Sequence, residues 1–331
     1  MPIELEEEVA NNPTRSYAHN LGKEAIEMAS YQNEPIQMHS GGVGKSGYLK
    51  LRFAKRSNRS ELIEMERRVP SLVQKALYWD EKMPQLPCVT MISTSGCLLQ
   101  GDRQALDIIV GKDACAHVTT QSATKVHMMD ANYAAQAQHI IVEENGYLEL
   151  IPDQIIPHRN ARFITDTFIQ LHSTATVFYS EILQSGRKYH HQDELFGFDI
   201  FSSRIHAEYT NKMELNLSPN CHELFIEKYI LTPKLNKLNK IGIMGGFDVY
   251  GNAILLTPKQ YHEPILSQLQ AEYNTDCNIA YGATQLPNNS GIIFKVLGVD
   301  TPKVKEAIRY FWQIARKEIL GIDIPEPFLW R

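Results

Sequence analysis

No run of apolar residues in this sequence approaches the roughly 18 uncharged positions that a membrane span requires. The first forty residues carry Glu4, Glu6, Glu7 and Glu8 and no apolar stretch of the kind a secretory leader has, so a cytoplasmic, soluble chain is expected. A strong charge of one sign is missing as well. With 33 Lys and Arg against 38 Asp and Glu, the net charge is −5 over 331 residues, which leaves no broad basic footprint for nucleic acid or an anionic membrane. Gly and Pro number 19 and 16, too few for a fibrous or low-complexity chain. The five cysteines (Cys88, Cys97, Cys115, Cys221 and Cys277) are odd in number, widely spaced and never in a C-x-x-C pair. That pattern excludes a disulfide framework and a structural zinc site, and marks them as reduced thiols in or near a core. What the chain does have is apolar mass, 43% of its residues, enough for one large core or two ordinary ones.

Residues 1–44 read as a polar extension, loosely attached, broken by Asn12-Pro13 and ending in the Gly-rich run Ser40-Gly41-Gly42-Val43-Gly44. From residue 45 to 331 a single domain is expected. Tyr48-Leu49-Lys50-Leu51-Arg52-Phe53 alternates with period two, and strand-like runs follow at 106–110, 117–120, 138–142, 147–151, 165–171 and 176–183. Asn145-Gly146 between two such runs predicts a β-hairpin, because both residues tolerate the positive φ of a type I′ turn. Up to about residue 256 no 3.6-residue period interrupts the strands, so the body is mainly β, a sandwich or a solenoid. Two helices are expected near the end, at 264–273 and 303–320. In the second, Val304, Ile308, Phe311, Trp312, Ala315 and Ile319 form one apolar face. Thr301-Pro302 marks its entry and Gly321 its exit.

Motifs that carry chemistry are sparse. Gly41-Gly42-Val43-Gly44-Lys45-Ser46 imitates a phosphate-binding loop, but the first glycine of G-x-x-x-x-G-K-[ST] falls on His39, and a strand rather than a helix follows; a linker is the better reading. There is no G-x-S-x-G elbow and no H-E-x-x-H. Cys115 and His117 share one face of a strand, and His190-His191 sit in a polar loop; both pairs have donor types that suit nickel or zinc, yet either alone is too few for a tight site. Acidic residues recur through the β body as Asp102, Glu149, Asp153, Glu181, Glu194 and Glu214. Glu181 stands out, flanked by Val177-Phe178-Tyr179 and Ile182-Leu183. A carboxylate there either pairs with an arginine such as Arg187 or Arg204, or lines a wet passage for a cation, since an isolated buried charge costs several kcal/mol.

Several segments, taken in order, resemble the UreD (also called UreH) family of urease accessory proteins. Leu98-Leu99-Gln100-Gly101-Asp102, then Val118-Thr119-Thr120-Gln121-Ser122-Ala123-Thr124-Lys125, is similar to that family's G-G-D segment, strand and T-T/M-x-x-A-[ST]-K. Leu148-Glu149-Leu150-Ile151-Pro152-Asp153-Gln154 resembles L-E-x-L-P-Q. Glu181 with Gly186-Arg187 resembles [DE]-x-x-x-x-G-R, and Glu194-Leu195-Phe196 the G-E-x-F that follows. The likeness is colinear from about residue 46 to 331. The chain departs from it at Ser93-Thr94-Ser95-Gly96, where the family has H-P-P-G, and at Val126-His127, where it has an aromatic-Arg pair.

The resemblance implies an irregular β-solenoid-like body with two C-terminal helices and no catalysis of its own. It implies a scaffold that binds the accessory protein UreF, through it the GTPase UreG, and the urease apoprotein, pairing with a second copy within that assembly. Nickel(II) would be a transient cargo, carried along a polar internal passage to which Glu181, Glu214, Asp102, Asp153 and Glu149 are the acidic candidates. The competing reading from the residues alone is a β-rich hydrolase or metal enzyme whose site has no recognisable signature.

Overall fold

The computed structural model describes residues 11–33, 44–210, 222–274, 276 and 278–325. Among them the strands are, in chain order, β1 (Ser46–Arg56), β2 (Arg59–Arg68), β3 (Ser71–Leu72), β4 (Cys88–Ser93), β5 (Arg103–Val110), β6 (Cys115–Thr120), β7 (Thr124–Val126), β8 (Ala134–Val142) and β9 (Tyr147–Leu150). Then come β10 (Ile155–Pro157), β11 (Arg162–Leu171), β12 (Thr176–Gln184), β13 (Ile200–Tyr209), β14 (His222–Leu231), β15 (Val249–Leu256), β16 (Glu272–Asn274), β17 (Ile279–Gln285) and β18 (Gly291–Gly298). The α-helices are α1 (Pro13–Asn20), α2 (His262–Leu266) and α3 (Thr301–Leu320). The protein is mainly β, as its alternation predicts.

Two sheets form. The first has the order β14-β13-β11-β8-β5-β1-β2, and the second runs β16-β17-β18-β15-β12-β9-β6-β4-β3 with β7 and β10 attached at one side. In the middle of each the pairing is parallel: β1, β5, β8, β11 and β13 in one, β4, β6, β9 and β12 in the other. The chain crosses from sheet to sheet between these strands, so β5, β8 and β11 each send their successor to the opposite layer. Asn145-Gly146 therefore makes the turn but not the hairpin. Asn145 takes φ of +55°, yet β8 and β9 on either side belong to different sheets. Local turn chemistry reverses the chain, while Ile140 and Val142 face Leu148 and Leu150 across a shared core instead of pairing beside them.

Period-two alternation sets the layers. Leu49, Leu51 and Phe53 of β1, Ile108 and Val110 of β5, Ile169 and Leu171 of β11 and Val177 of β12 all meet in the core between the sheets. On the far face of the second sheet α3 buries Val304, Ile308, Phe311, Trp312 and Ala315 against Phe178, Ile182, Ala253 and Phe294. Asp300 caps it by accepting from the Lys303 N–H at 3.1 Å, and Gly321 ends it at φ +68°. Gly251 on β15 makes room: a Cβ there would lie 2.6 Å from the Val304 side chain, so any larger residue would lift the helix off the sheet. The shorter α2 ends at Leu266, and residues 272 and 273, the end of the span expected as helix, lie in β16 instead.

Residues 11–33 are not loosely attached. Asn12 caps α1 by accepting from Arg15 N at 2.9 Å, with Pro13 opening the helix, so the dipeptide read as a break is a start signal. Ala18, Leu21 and Met28 pack on Tyr48, Ala105, Tyr133 and Ala137 of the outer face of the first sheet. Thr14 Oγ1 and the Tyr48 hydroxyl both donate to Asp107, each at 2.6 Å, and Tyr17 and Arg204 donate to Asp166. The segment's buried polar groups thus find partners on the sheet, which a free tail would leave in water.

Candidate functional site

At one end of the sandwich the inward positions change from aliphatic to polar. On β8 the inward parity reads Gln136, Gln138, Ile140, Val142; on β11 it reads Thr165, Thr167, Ile169, Leu171; on β13 it reads Ser203, Ile205, Ala207. In register these make one cross-strand row, Gln104–Gln136–Thr165–Ser203–Tyr229, running from β5 through β8, β11 and β13 to β14. Gln138 and Thr167 begin the next row, with Gln138 Nε2 donating to Thr167 Oγ1 at 2.8 Å and Tyr179 of the opposite sheet 3.4 Å from the same hydroxyl. Gln136 and Gln138 lie on a central strand and are still only half-buried, so space runs beside them. At the β5 end the row opens into a cavity of about 140 Å³ lined by Gln104, Gln136, Cys97, Thr120 and Lys125.

Glu181 faces this row from the other sheet. It is 4% exposed and accepts from Ser203 Oγ at 3.1 Å and from the Tyr229 hydroxyl. Neither of its expected arginine partners is there: Arg187 pairs with Glu194 at 2.5 Å and Arg204 with Asp166. Burial pushes the Glu181 carboxyl up from 4.5 to about 7; the Tyr229 and Ser203 hydrogen bonds pull against this and the nearby Glu227 charge adds to it. A group raised in this way binds a proton in the folded state that it has released in the unfolded chain. Its contribution is full below pH 4.5 and is lost as pH rises to about 7. Glu181→Gln is accordingly expected to remove a decline of roughly 3 kcal/mol in unfolding free energy over that window, measured by denaturant titration at pH 5 and pH 8 against the parent. Equal pH slopes in the two proteins would refute the assignment.

The other acidic candidates lie elsewhere. Asp102, in the turn after Gly101, is fully buried and accepts from Lys45 N at 2.8 Å and Leu99 N at 2.9 Å; burial raises its carboxyl above the usual value. It ties the turn together, and Asp102→Ala should cost about 1–3 kcal/mol by orphaning two amides. A melting temperature within one degree or so of the parent would contradict that. Asp153 pairs with Lys305 of α3, and its N–H donates to Thr120 Oγ1, while Thr119 Oγ1 donates to Ile151 O at 2.7 Å. Pro152 lies half-buried between these contacts. Glu149 points at α3: it accepts from Tyr147 and from Trp312 Nε1, both at 2.8 Å, with His117 Nδ1 2.8 Å away and Arg316 at 3.6 Å. Burial pushes its carboxyl up, but the Arg316 charge, His117 and Trp312 outweigh this and hold it below the usual value. Glu214 lies outside the described residues.

The thiol and imidazole candidates do not converge. Cys115 Sγ meets Ser60 Oγ at 3.3 Å, His117 is taken by Glu149, and His190 and His191 are exposed in the loop after Gly186-Arg187. Cys88, Cys97 and Cys115 are free thiols. Among the described residues, no three His, Cys, Asp or Glu side chains gather around a point that could hold a metal. The motif Gly186-Arg187…Glu194 closes a loop: besides the ion pair, Glu194 accepts from Arg159 N at 3.0 Å, and Gly186 at φ +131° passes so near Glu194 O that a Cβ would sit 2.1 Å from it. Of the imitation phosphate loop, residues 41–43 lie outside the described residues, and Ser46 already begins β1. No helix among the described residues is long and apolar enough to cross a membrane.

The family model described as UreD urease accessory protein matches residues 45–331. The chain is 64% identical over 323 residues to a urease accessory protein UreD of Yersinia enterocolitica, covering 98% of both chains. It is 63% identical to one of Yersinia pseudotuberculosis with the same coverage, and 58% identical over 315 residues to one of Photorhabdus laumondii, covering 95% of each.

Proposed function

Because this chain belongs to the UreD family of urease accessory proteins, we propose that it is a non-catalytic maturation scaffold of the cytoplasm that binds UreF, through UreF the GTPase UreG, and the urease apoprotein, and that nickel(II) crosses its interior on the way to urease. The observation that carries this reading is the polar row. A β-sandwich has no structural need for Gln104, Gln136, Gln138, Thr165, Thr167 and Ser203 at inward positions, nor for an acid facing them, since each buried polar group must be satisfied or costs stability. Aligned from strand to strand, they form a strip of oxygen donors. Such donors hold a divalent metal weakly, and a cargo that must leave again needs weak sites rather than a tight cage of thiolates and imidazoles. Glu181 supplies the charge. Its ionisation near neutral pH means that an arriving cation displaces a proton at little cost. The to-and-fro of parallel strands between two layers is read here as the coils of an irregular β-solenoid, with the row on the inner wall of its coils; pairing of two copies in the assembly is part of the same proposal.

The test is the nickel content per active site of urease apoprotein co-produced with its accessory set, with and without this chain. Loss of nickel to near zero without it, together with co-purification of the chain with UreF, is the expected result. Full loading in its absence would end the proposal.

A further inference from the structure

The inward strip does not stop at Glu181. Asn252 on β15 stands opposite Glu181, and Lys295 on β18 stands opposite Asn252. Asn252 is fully buried, at 0% exposure, and its Nδ2 donates to Glu227 Oε2 at 2.7 Å. The oxygen of the same amide, Oδ1, has no donor among the described residues. Turning the amide over would set that oxygen against the Glu227 carboxylate, so the network fixes its orientation. Glu227 lies two residues before Tyr229, the phenol that donates to Glu181, and its second oxygen is paired with the Lys295 ammonium, which also donates to Tyr250 at 3.1 Å. Lys295 is 47% exposed and Glu227 19%, so the pair stands where the interior strip reaches the edge between β14 and β18.

We propose that Glu227, the Asn252 side-chain oxygen and Glu181 form a divalent-cation site at this edge, and that Lys295 is its resident counter-ion, displaced when a cation arrives. The proposal rests on the passage reading in one respect, that this edge is one of its mouths. The donor chemistry fits a transient guest: two carboxylates and a neutral amide oxygen, without sulfur or imidazole, bind Mn²⁺ or Ni²⁺ weakly. The buried Oδ1 is an acceptor open to a positive group, on an amide whose nitrogen holds a carboxylate paired with a half-exposed ammonium. Lys295 keeps Glu227 from standing unpaired when no metal is near, and its four-carbon stem lets it swing into solvent when one is.

The experiment is a titration of the full-length chain with MnCl₂ at pH 7.5, followed by the free-Mn²⁺ paramagnetic resonance signal, then competition with NiCl₂. Lys295→Met is expected to tighten Mn²⁺ binding about fivefold, the equivalent of removing one competing exposed ion pair of about 1 kcal/mol. Glu227→Gln is expected to weaken it about tenfold, since affinity of an oxygen site follows its charge count. The two variants move in opposite directions, so misfolding alone does not mimic the result. Binding identical in parent and both variants, or absent from the parent at millimolar Mn²⁺, overturns the edge site. If that occurs while Glu181→Ala still abolishes nickel loading of urease, the edge site falls and the passage stands. If the variants shift binding as expected but Glu181→Ala loads urease normally, the edge site stands and the passage falls.

Discussion

Arg316→Ala is expected to cost about 3–5 kcal/mol of stability, among the largest effects available to a single substitution in this fold. Arg316 comes from the buried face of α3, where helical spacing alone would place an aliphatic residue, and it is 0% exposed. Its guanidinium meets Asp80 Oδ2 at 2.5 Å and Glu149 at 3.6 Å, and touches Met83 Sδ at 3.1 Å. Removing the cation leaves two carboxylates, Asp80 and Glu149, in a space closed by Trp312, Tyr147 and Cys88 and shut off from solvent. Such a change costs more than the pair itself contributes, because the penalty is that of uncompensated buried charge. Lys317, the next residue, pairs with Asp323 at 3.0 Å in solvent and serves as the contrast: Lys317→Ala should move stability by no more than about 1 kcal/mol. Denaturant midpoints at unchanged slope read both effects. A loss below about 1 kcal/mol for Arg316→Ala would mean that the network is not ionised as described.

Glu181→Ala is expected to separate function from stability. A carboxyl raised to about 7 is held in the folded state against its preference, so at pH 8 its removal relieves a penalty that offsets the hydrogen bonds lost from Ser203 and Tyr229, and the fold should stay close to the parent's stability. Among the described residues the groups acting on it (Tyr229, Ser203 and Glu227) are not cations, so no ion pair is broken. Urease activation should nevertheless fall at least tenfold at limiting nickel, a change of roughly 1.4 kcal/mol in transit. A purely structural residue would show the reverse, reduced stability with activation following it down. Activation unchanged at limiting nickel would remove Glu181 from the route.

Much of this was legible in the residues, and what was missed has physical causes. The strands, α3 and its caps follow from alternation, from the 3.6-residue period of Val304 to Ile319 and from Gly321. Glu181 was found because it interrupts an apolar run. Its companions were not, although the same rule exposes them: counting by two from Ile140 and Val142 back to Gln136 and Gln138, or from Ile169 to Thr165 and Thr167, shows polar residues at inward parity. Ser203 and Tyr229 needed the strand register as well, which no local pattern supplies. The Asn145-Gly146 turn shows the limit from the other side, since turn chemistry is local and the choice between pairing and stacking is not. Glu149 counts among the acidic candidates only as one of the carboxylates that recur in the β body; the docking of α3 reveals that its side of β9 faces Trp312 and Arg316. At Asn12-Pro13 the sequence is ambiguous because a cap and a break use the same two residues.

The most direct measurement is nickel per active site in urease apoprotein matured with the Glu181→Ala chain, after confirming that the variant still co-purifies with its assembly partners. The account predicts an assembled complex whose urease holds little nickel at limiting supply and regains it as the supply is raised. Full nickel occupancy at limiting supply, from an intact complex carrying the substitution, would contradict it.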